Sequence, residues 1–323
     1  NGSDYIYVAI RRPMKTPTVG TEVFAQVQYT SSSSSPSTLT AGFAVDLMLE
    51  TLTGGTNNGG RMTTDRLRGA GPNTWNLLNM NGAYSQDTNT VTGYGMDLAS
   101  NTGIKNGFYG KVYGAFPLIA YMFRRAPGFM DTVVWTGAPG TLNAVTHGLG
   151  VKPELVILKY RTVNDGWYVY TSAAGHLSLE GNSGLIGSTD YMASTTDTSL
   201  NVTGLVSNPG NNPIAYLFAT VAGVSKVGSY TGTGADLNVD CGFSAGARFV
   251  LIKRTDTTGD WYLYDTSRGI VAGNDRYFHL NTEQAETTNT DYIDPLASGF
   301  TVTSSAPAAL NASGGTYIFL AIA

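Results

Sequence analysis

The sequence predicts an all-β protein of three tandem, antiparallel β-sandwich-like domains built from a repeat of ~100 residues, the size of an independent sandwich. Three observations carry this prediction. A strand-like motif recurs four times, at Asp4–Ile10, Pro117–Phe123, Pro213–Phe218 and Thr316–Ile322; aligning Ile6, Ile119, Ile214 and Ile318 gives spacings of 113, 95 and 104 residues. The segments between these motifs repeat too. Gly148, Val156–Lys159 and Trp167–Tyr170 return 94 residues later as Gly242, Val250–Lys253 and Trp261–Tyr264. Finally, no stretch of ~12 or more residues carries the 3.6-residue apolar period of an amphipathic helix.

Taken in order, residues 1–12 are a fourth copy of the closing strand, and Asn1-Gly2-Ser3 echoes Asn311-Ala312-Ser313. They read as the end of an upstream repeat, so that the chain is part of a longer polypeptide; the alternative is a strand that wraps round to close the first body. Residues 13–125 form domain 1, a diverged repeat. In it Gly42-Phe43 and Asp46–Leu49 stand for the Gly148 block, and Asp65–Gly69 for Asp265–Gly269. This domain holds the Ser31–Ser35 run, read as an exposed loop, and a long Gly-Asn loop over 54–60. Residues 126–222 form domain 2 and residues 223–323 domain 3. Leu155–Tyr160 is a continuous apolar run suited to a buried strand. Asn164-Asp165-Gly166 is expected to supply residues of positive φ for a hairpin turn, and Thr257–Asp260 the same in domain 3. In the strand that follows, Trp167 and Val169 point one way and Tyr168 and Tyr170 the other. Trp261 and Leu263 oppose Tyr262 and Tyr264 in the same manner. The Trp face is expected inside the domain and the Tyr face against a neighbouring domain or subunit; a sugar-stacking platform is the other reading. The junctions near 12–18 and 125–129 are short, so the domains are expected to pack rather than swing.

Composition narrows the function. Charged residues are only 13% against 42% hydrophobic and 11% aromatic, which excludes a disordered chain. The net charge of −4, with few Lys and Arg, leaves no electrostatic footprint for nucleic acid or anionic lipid. No apolar run approaches the ~18 residues of a membrane-spanning helix, so no membrane insertion is expected. The single cysteine, Cys241, excludes an internal disulfide framework and reads as a small buried side chain. A charge-poor surface rich in Gly, Thr, Ser, Asn and Tyr fits a secreted or particle-borne β protein.

Candidate chemistry is sparse. His147, His176 and His279 are too scattered for a metal site, and His147 reads as a turn residue. Gly148-Leu149-Gly150 and Gly232-Thr233-Gly234 lack a following helix, so they read as turns and not phosphate cradles. Carboxylates cluster at Asp256/Asp260/Asp265 and at Asp291/Asp294. A glycosidase needs two carboxylates ~5–10 Å apart across a sugar, but the first cluster lies in a hairpin turn and its flanks, where Asp suits turn chemistry. Domain 2 carries Thr162 and Thr171 in place of Asp256 and Asp265. A calcium site at Asp256–Asp260 is a minor alternative. No catalytic, cofactor-binding or metal residue is therefore assigned, no cofactor is expected, and receptor-binding residues are left unassigned.

The run Ala9–Lys15 with Gly20–Phe24, then Phe43–Leu47, Asp65–Gly69, Tyr121–Phe129, His147–Glu154, Lys226–Gly232 and Asn311–Ile322 resembles a module of tailed-phage structural proteins. The resemblance covers nearly the whole chain. It implies a virion component of the tail-fibre or tail-tip type, with no catalytic residues to carry over. The expectation is therefore a structural protein in the extracellular particle that attaches to the host by binding without turnover. Its partners would be other virion tail proteins and a host surface glycan or protein. A homotrimer is favoured, because a three-fold assembly would bury the exposed Tyr and Ile edges. A head-decoration or scaffolding protein is the alternative, and a polysaccharide-degrading tailspike the third reading.

Overall fold

The computed structural model describes residues 14–54, 60–69, 71–136, 143–171, 175–187, 192–203 and 210–323. The chain is 46% strand and 5% helix, and every paired strand is antiparallel, so it is all-β and sandwich-like, as the repeats predict. The proposed closing strand over 1–12 and most of the Gly-Asn loop lie outside the described residues.

Domain 1 contains β1 (Phe24–Thr30), β2 (Ser37–Thr40), β3 (Leu47–Leu52), β4 (Met62–Asp65), β5 (Thr74–Asn79), β6 (Asp87–Thr90), β7 (Met96–Asp97), β8 (Gly103–Asn106), α1 (Phe108–Tyr113) and β9 (Pro117–Phe123). Domain 2 contains β10 (Met130–Val134), β11 (Asn143–Thr146), β12 (Leu155–Tyr160), β13 (Trp167–Tyr170), β14 (Leu177–Ser178), β15 (Met192–Thr195), β16 (Ser199–Val202) and β17 (Pro213–Phe218). Domain 3 contains β18 (Ser225–Thr231), β19 (Leu237–Asp240), β20 (Phe249–Arg254), β21 (Trp261–Asp265), β22 (Asp275–His279), β23 (Thr287–Thr290), β24 (Ile293–Leu296), β25 (Gly299–Val302), α2 (Ala308–Asn311) and β26 (Thr316–Ile322).

Each domain pairs a large sheet with a three-stranded one. The large sheets run β1-β9-β3-β4-β5-β6, β10-β17-β12-β13-β14 and β18-β26-β20-β21-β22-β23. The small ones run β2-β8-β7, β11-β16-β15 and β19-β25-β24. The recurrent motif thus takes one position every time: β9, β17 and β26 lie second in the large sheet, between the first and third strands of the repeat. Their registers match, with Phe24 opposite Phe123 and Ser225 opposite Ile322.

The three domains wrap round a shared core. One face of each large sheet packs on its own small sheet, forming three private cores. The opposite faces meet one another in a single cluster that takes Phe123 from domain 1, Phe218 from domain 2 and Phe249 from domain 3. The Phe123 ring lies 5.9 Å from Phe218 and 6.0 Å from Phe249. A sheet covered on both faces needs continuous apolar strands, and β12 and β17 are buried at every residue. An apolar cavity of about 40 Å³ lies where Leu47, Ile157, Phe249 and Leu320 converge.

This arrangement reverses the expected Trp and Tyr assignment. Trp167, Val169, Trp261 and Leu263 face the shared core, whereas Tyr170, Tyr262 and Tyr264 fill the private cores. Alternation placed the two sets on opposite faces, but which face meets a neighbour follows from tertiary packing. The sugar-platform reading of these rings fails with it, since Trp167 is 0% and Trp261 2% exposed. The turn expectation also changes. Asn164-Asp165-Gly166 does join β12 to β13, but no residue there has positive φ. Lys159 pairs with Trp167, so a wide loop connects the strands and no tight primed turn is required.

Candidate functional site

Three seams join the domains in a closed ring, and the sequence repeats make them comparable. The same donor position works in each. In domain 2 the Trp167 indole N–H donates to the Asn79 carbonyl of domain 1 at 2.8 Å. In domain 3 the Trp261 N–H donates to the Ser178 carbonyl of domain 2 at 2.8 Å. In domain 1 the equivalent residue is Arg61, whose Nε donates to the His279 carbonyl of domain 3 at 3.3 Å. The buried Lys253 ammonium also crosses its seam, donating to the Asn182 and Ser183 carbonyls at 3.2 and 2.8 Å. Domain 1 has Thr51 at the lysine position. There the Arg61 guanidinium serves both roles, donating through Nη2 to the Gln284 carbonyl at 2.6 Å and through Nη1 to Thr51 Oγ1. Burial lowers Lys253 to about 8 and Arg61 to about 10.

A second contact appears in only two seams. The Tyr216 hydroxyl donates to Asp65 at 2.8 Å, and Asp65 is ion-paired with Arg68. The Tyr121 hydroxyl likewise donates to Asp265 at 2.7 Å, and Asp265 is ion-paired with Arg268. These groups are almost wholly buried, and burial, reinforced by the neighbouring carboxylate, pushes both phenols well above their ordinary range. At the seam of domain 3 on domain 2 both contact positions differ: Leu320 replaces the tyrosine and Thr171 the aspartate.

The edge strands differ as well, with glutamines on β1 and Thr132 and Val134 at the matching positions of β10. On β1 the Gln26 amide lies 2.6 Å from the Thr266 hydroxyl, and Gln28 donates to the Ser267 carbonyl. At the matching positions of β18 stand Val227 and Ser229, which are too short to bridge. A cleft of about 500 Å³ lies there. Leu155, Val227, Ile318 and Phe319 form its apolar floor. A β-carbon at Gly228 would meet the Phe319 ring at 2.6 Å, so glycine lets that ring lie across the strand. The rim carries Glu154, Ser229, Thr255, Asp256 and Thr316. Glu154 Oε2 accepts the Thr220 N–H at 2.6 Å. Asp256 is ion-paired with Arg254 at 2.9 Å, a hydrogen bond that holds its carboxyl down at about 2. Glu154 and Thr171 also border a second cleft, of about 780 Å³, which continues along domain 2 past Lys152, Tyr170 and Met192.

The residues weighed from the sequence do not converge here. Asp256 lies on the cleft rim, Asp260 accepts the Asn281 amide at 2.8 Å, and Asp265 is buried in its seam against Tyr121. Asp291 and Asp294 flank Asp275, which accepts the Tyr292 and Ile293 N–H groups at 2.7 and 2.6 Å and which burial raises to about 6. Among the described residues no three His, Cys, Asp or Glu side chains are placed to hold one metal ion. His147 lies 3.2 Å from the Thr196 carbonyl, and its Nδ1 accepts the Leu149 N–H. His176 packs on Tyr168 at 5.3 Å, and His279 lies 3.7 Å from Asp260. Burial pushes the Cys241 thiol up to about 12, which keeps it protonated. The Thr233 and Gly234 N–H groups donate to Asn311 Oδ1, so that glycine turn is closed internally. Sequence reasoning missed the cleft in this seam. Its signal was the joint loss of Tyr and Asp in aligned repeats, but nothing in the sequence says that these positions meet.

The fold and site define a three-repeat β protein with a cleft in the seam between its second and third repeats. The chain belongs to a family described as a domain of unknown function, DUF7483, whose model matches residues 124–323. The match spans the second and third repeats and the seam between them. A comparison with curated proteins found no match.

Proposed function

We propose that this chain is a structural component of a tailed-phage particle, part of a tail fibre or tail tip, and that it contributes to host attachment by binding without turnover. The observation that carries the reading is the ordered set of motifs, from Ala9–Lys15 to Asn311–Ile322, that resembles tailed-phage structural modules over nearly the whole chain. The geometry supports binding over turnover. Asp65 and Asp265 are committed to ion pairs with Arg68 and Arg268 of their own domains and to tyrosine hydroxyls of the neighbouring ones, which leaves them unsuited to acid-base work on a substrate. A core shared by three domains also makes a rigid platform from which loops and seams present contacts. The partners proposed are other tail proteins and a molecule of the host surface. Tyr170, Tyr262 and Tyr264 are buried in the private cores of their own domains, so a homotrimer in this reading would be built on other surfaces.

Labelling the chain on intact particles, by antibody or by density, tests the reading. A position at the distal end of a tail appendage is the expected result. A position against the head or tail tube, with the clefts covered, would replace it with a decoration or scaffolding role.

A further inference from the structure

The geometry points to the cleft between domains 2 and 3 as a binding site for a neutral oligosaccharide. This rests on the attachment reading above and names the ligand class and the place. The three seams descend from one repeat contact, so a Tyr–Asp pair made at two of them and replaced at the third marks a local departure. Where β1 reaches across with two glutamine side chains, β18 presents Val227 and Ser229. Where two seams carry a Tyr–Asp contact, the third has Leu320 and Thr171 at those positions. The substitutions leave an amphipathic groove: an apolar floor of Val227, Ile318 and Phe319 beneath a rim of hydroxyls and carboxylates.

A pyranose presents the same two chemistries, a C–H face and a ring of hydroxyls. The C–H face suits the apolar floor. The hydroxyls would meet Glu154, Ser229, Thr255 and Thr316, and a carboxylate accepting from a hydroxyl makes the stronger class of hydrogen bond. Charge favours a neutral ligand. Asp256 is neutralised by Arg254, and Glu154 faces a groove whose continuation carries Lys152. An anionic chain would meet two carboxylates at the rim, and a cationic one would meet Arg254 and Lys152. Length favours more than one sugar, because the two clefts share Glu154 and Thr171 and together offer about 1,280 Å³. Pockets of ~300–1,000 Å³ hold a drug-sized ligand.

The test is an immobilised array of neutral hexose and N-acetylhexosamine oligosaccharides, with uronate-bearing chains and a lysine-rich peptide beside them, probed with the full chain. The expected result is retention on a subset of the neutral glycans. Ser229→Trp, on an exposed position of the rim, should lower it at least tenfold with an unchanged melting temperature. Glu154→Gln, which keeps the size of the side chain, should lower it severalfold. Preference for the acidic glycans or the peptide, retention unchanged in Ser229→Trp, or no retention at all would overturn the assignment. If the chain binds host cells and Ser229→Trp binds them equally well, the cleft assignment fails while the attachment reading stands. If labelling places the chain on no tail structure, the attachment reading fails whatever the array shows.

Discussion

Arg68 and Arg268 show how one side chain decides whether a buried charge is fully paired. Both donate to an aspartate and to a backbone carbonyl. Arg268 also meets Glu286 at 3.2 Å, whereas the position equivalent to Glu286 in domain 1 is Gln86. There Arg68 Nη1 and Gln86 Oε1 are both buried without a partner. Gln86→Glu should supply the missing acceptor and raise stability by ~1 kcal/mol, the scale of a satisfied hydrogen bond; a lower urea midpoint in the variant would refute this. Glu50 is the second case. It is fully buried, accepts from Tyr29 and Asn106, and burial pushes it up to about 7. The unfolded chain releases this proton near pH 4.5, so between 4.5 and 7 the folded state alone retains it. Stability therefore falls as pH rises through that window, by at most about 3 kcal/mol. Asp275, raised to about 6, adds in the same direction. Lys159 and Lys253, lowered to about 8, act oppositely: stability rises between pH 8 and 10.5. Melting temperatures across pH 4 to 8 should show the acid-side slope, and Glu50→Gln should flatten most of it. A slope unchanged in Glu50→Gln would show that another group is responsible.

At the scale of elements, the repeated edge strand and its seam are the unit that varies. The seam of domain 3 on domain 2 should accept the contact of the other two when Leu320→Tyr is combined with Thr171→Asp. Thr171→Asp alone should destabilise, because it places a carboxylate beside apolar surface. The double variant should recover more than the sum of the single changes, with a coupling of ~1–3 kcal/mol. Urea midpoints of the two singles and the double measure this, and simple additivity would mean that the two positions do not meet. Trp261→Phe should lose the Ser178 hydrogen bond while keeping most of the packing, at a cost of ~1–2 kcal/mol. Hydrogen exchange should then quicken in β14 of domain 2 as well as in β21. Faster exchange confined to domain 3 would show that the seam contact carries no stability between domains.

The whole molecule should unfold as one unit, because each large sheet buries one face in a core it does not own. Phe249→Ala, in the middle of that core, should cost ~3–5 kcal/mol. It should lower the stability of all three domains together, seen as one calorimetric transition whose van't Hoff and calorimetric enthalpies agree. Separate transitions would show that the domains are independent beads.

Much of this was legible in the residues. The recurrent motif marked the strand second in every large sheet, since a strand covered on both faces must be apolar throughout. The 94-residue spacing aligned Trp167 with Trp261 and Asp265 with Thr171 before any contact was visible. Alternation separated Trp from Tyr but could not say which set faced a neighbour, because both faces of the large sheet are buried. Asp275 and Glu50 drew no notice, since a lone carboxylate reveals its burial only in three dimensions. By itself the sequence determined the repeat, the all-β class and the poverty of charge, which follow from local pattern and composition. Only the tertiary structure decided that the three repeats close on one another and that a cleft lies in the seam between domains 2 and 3. That choice rests on contacts between residues far apart in the chain, such as Gln26 with Thr266, 240 positions on, which no local pattern encodes.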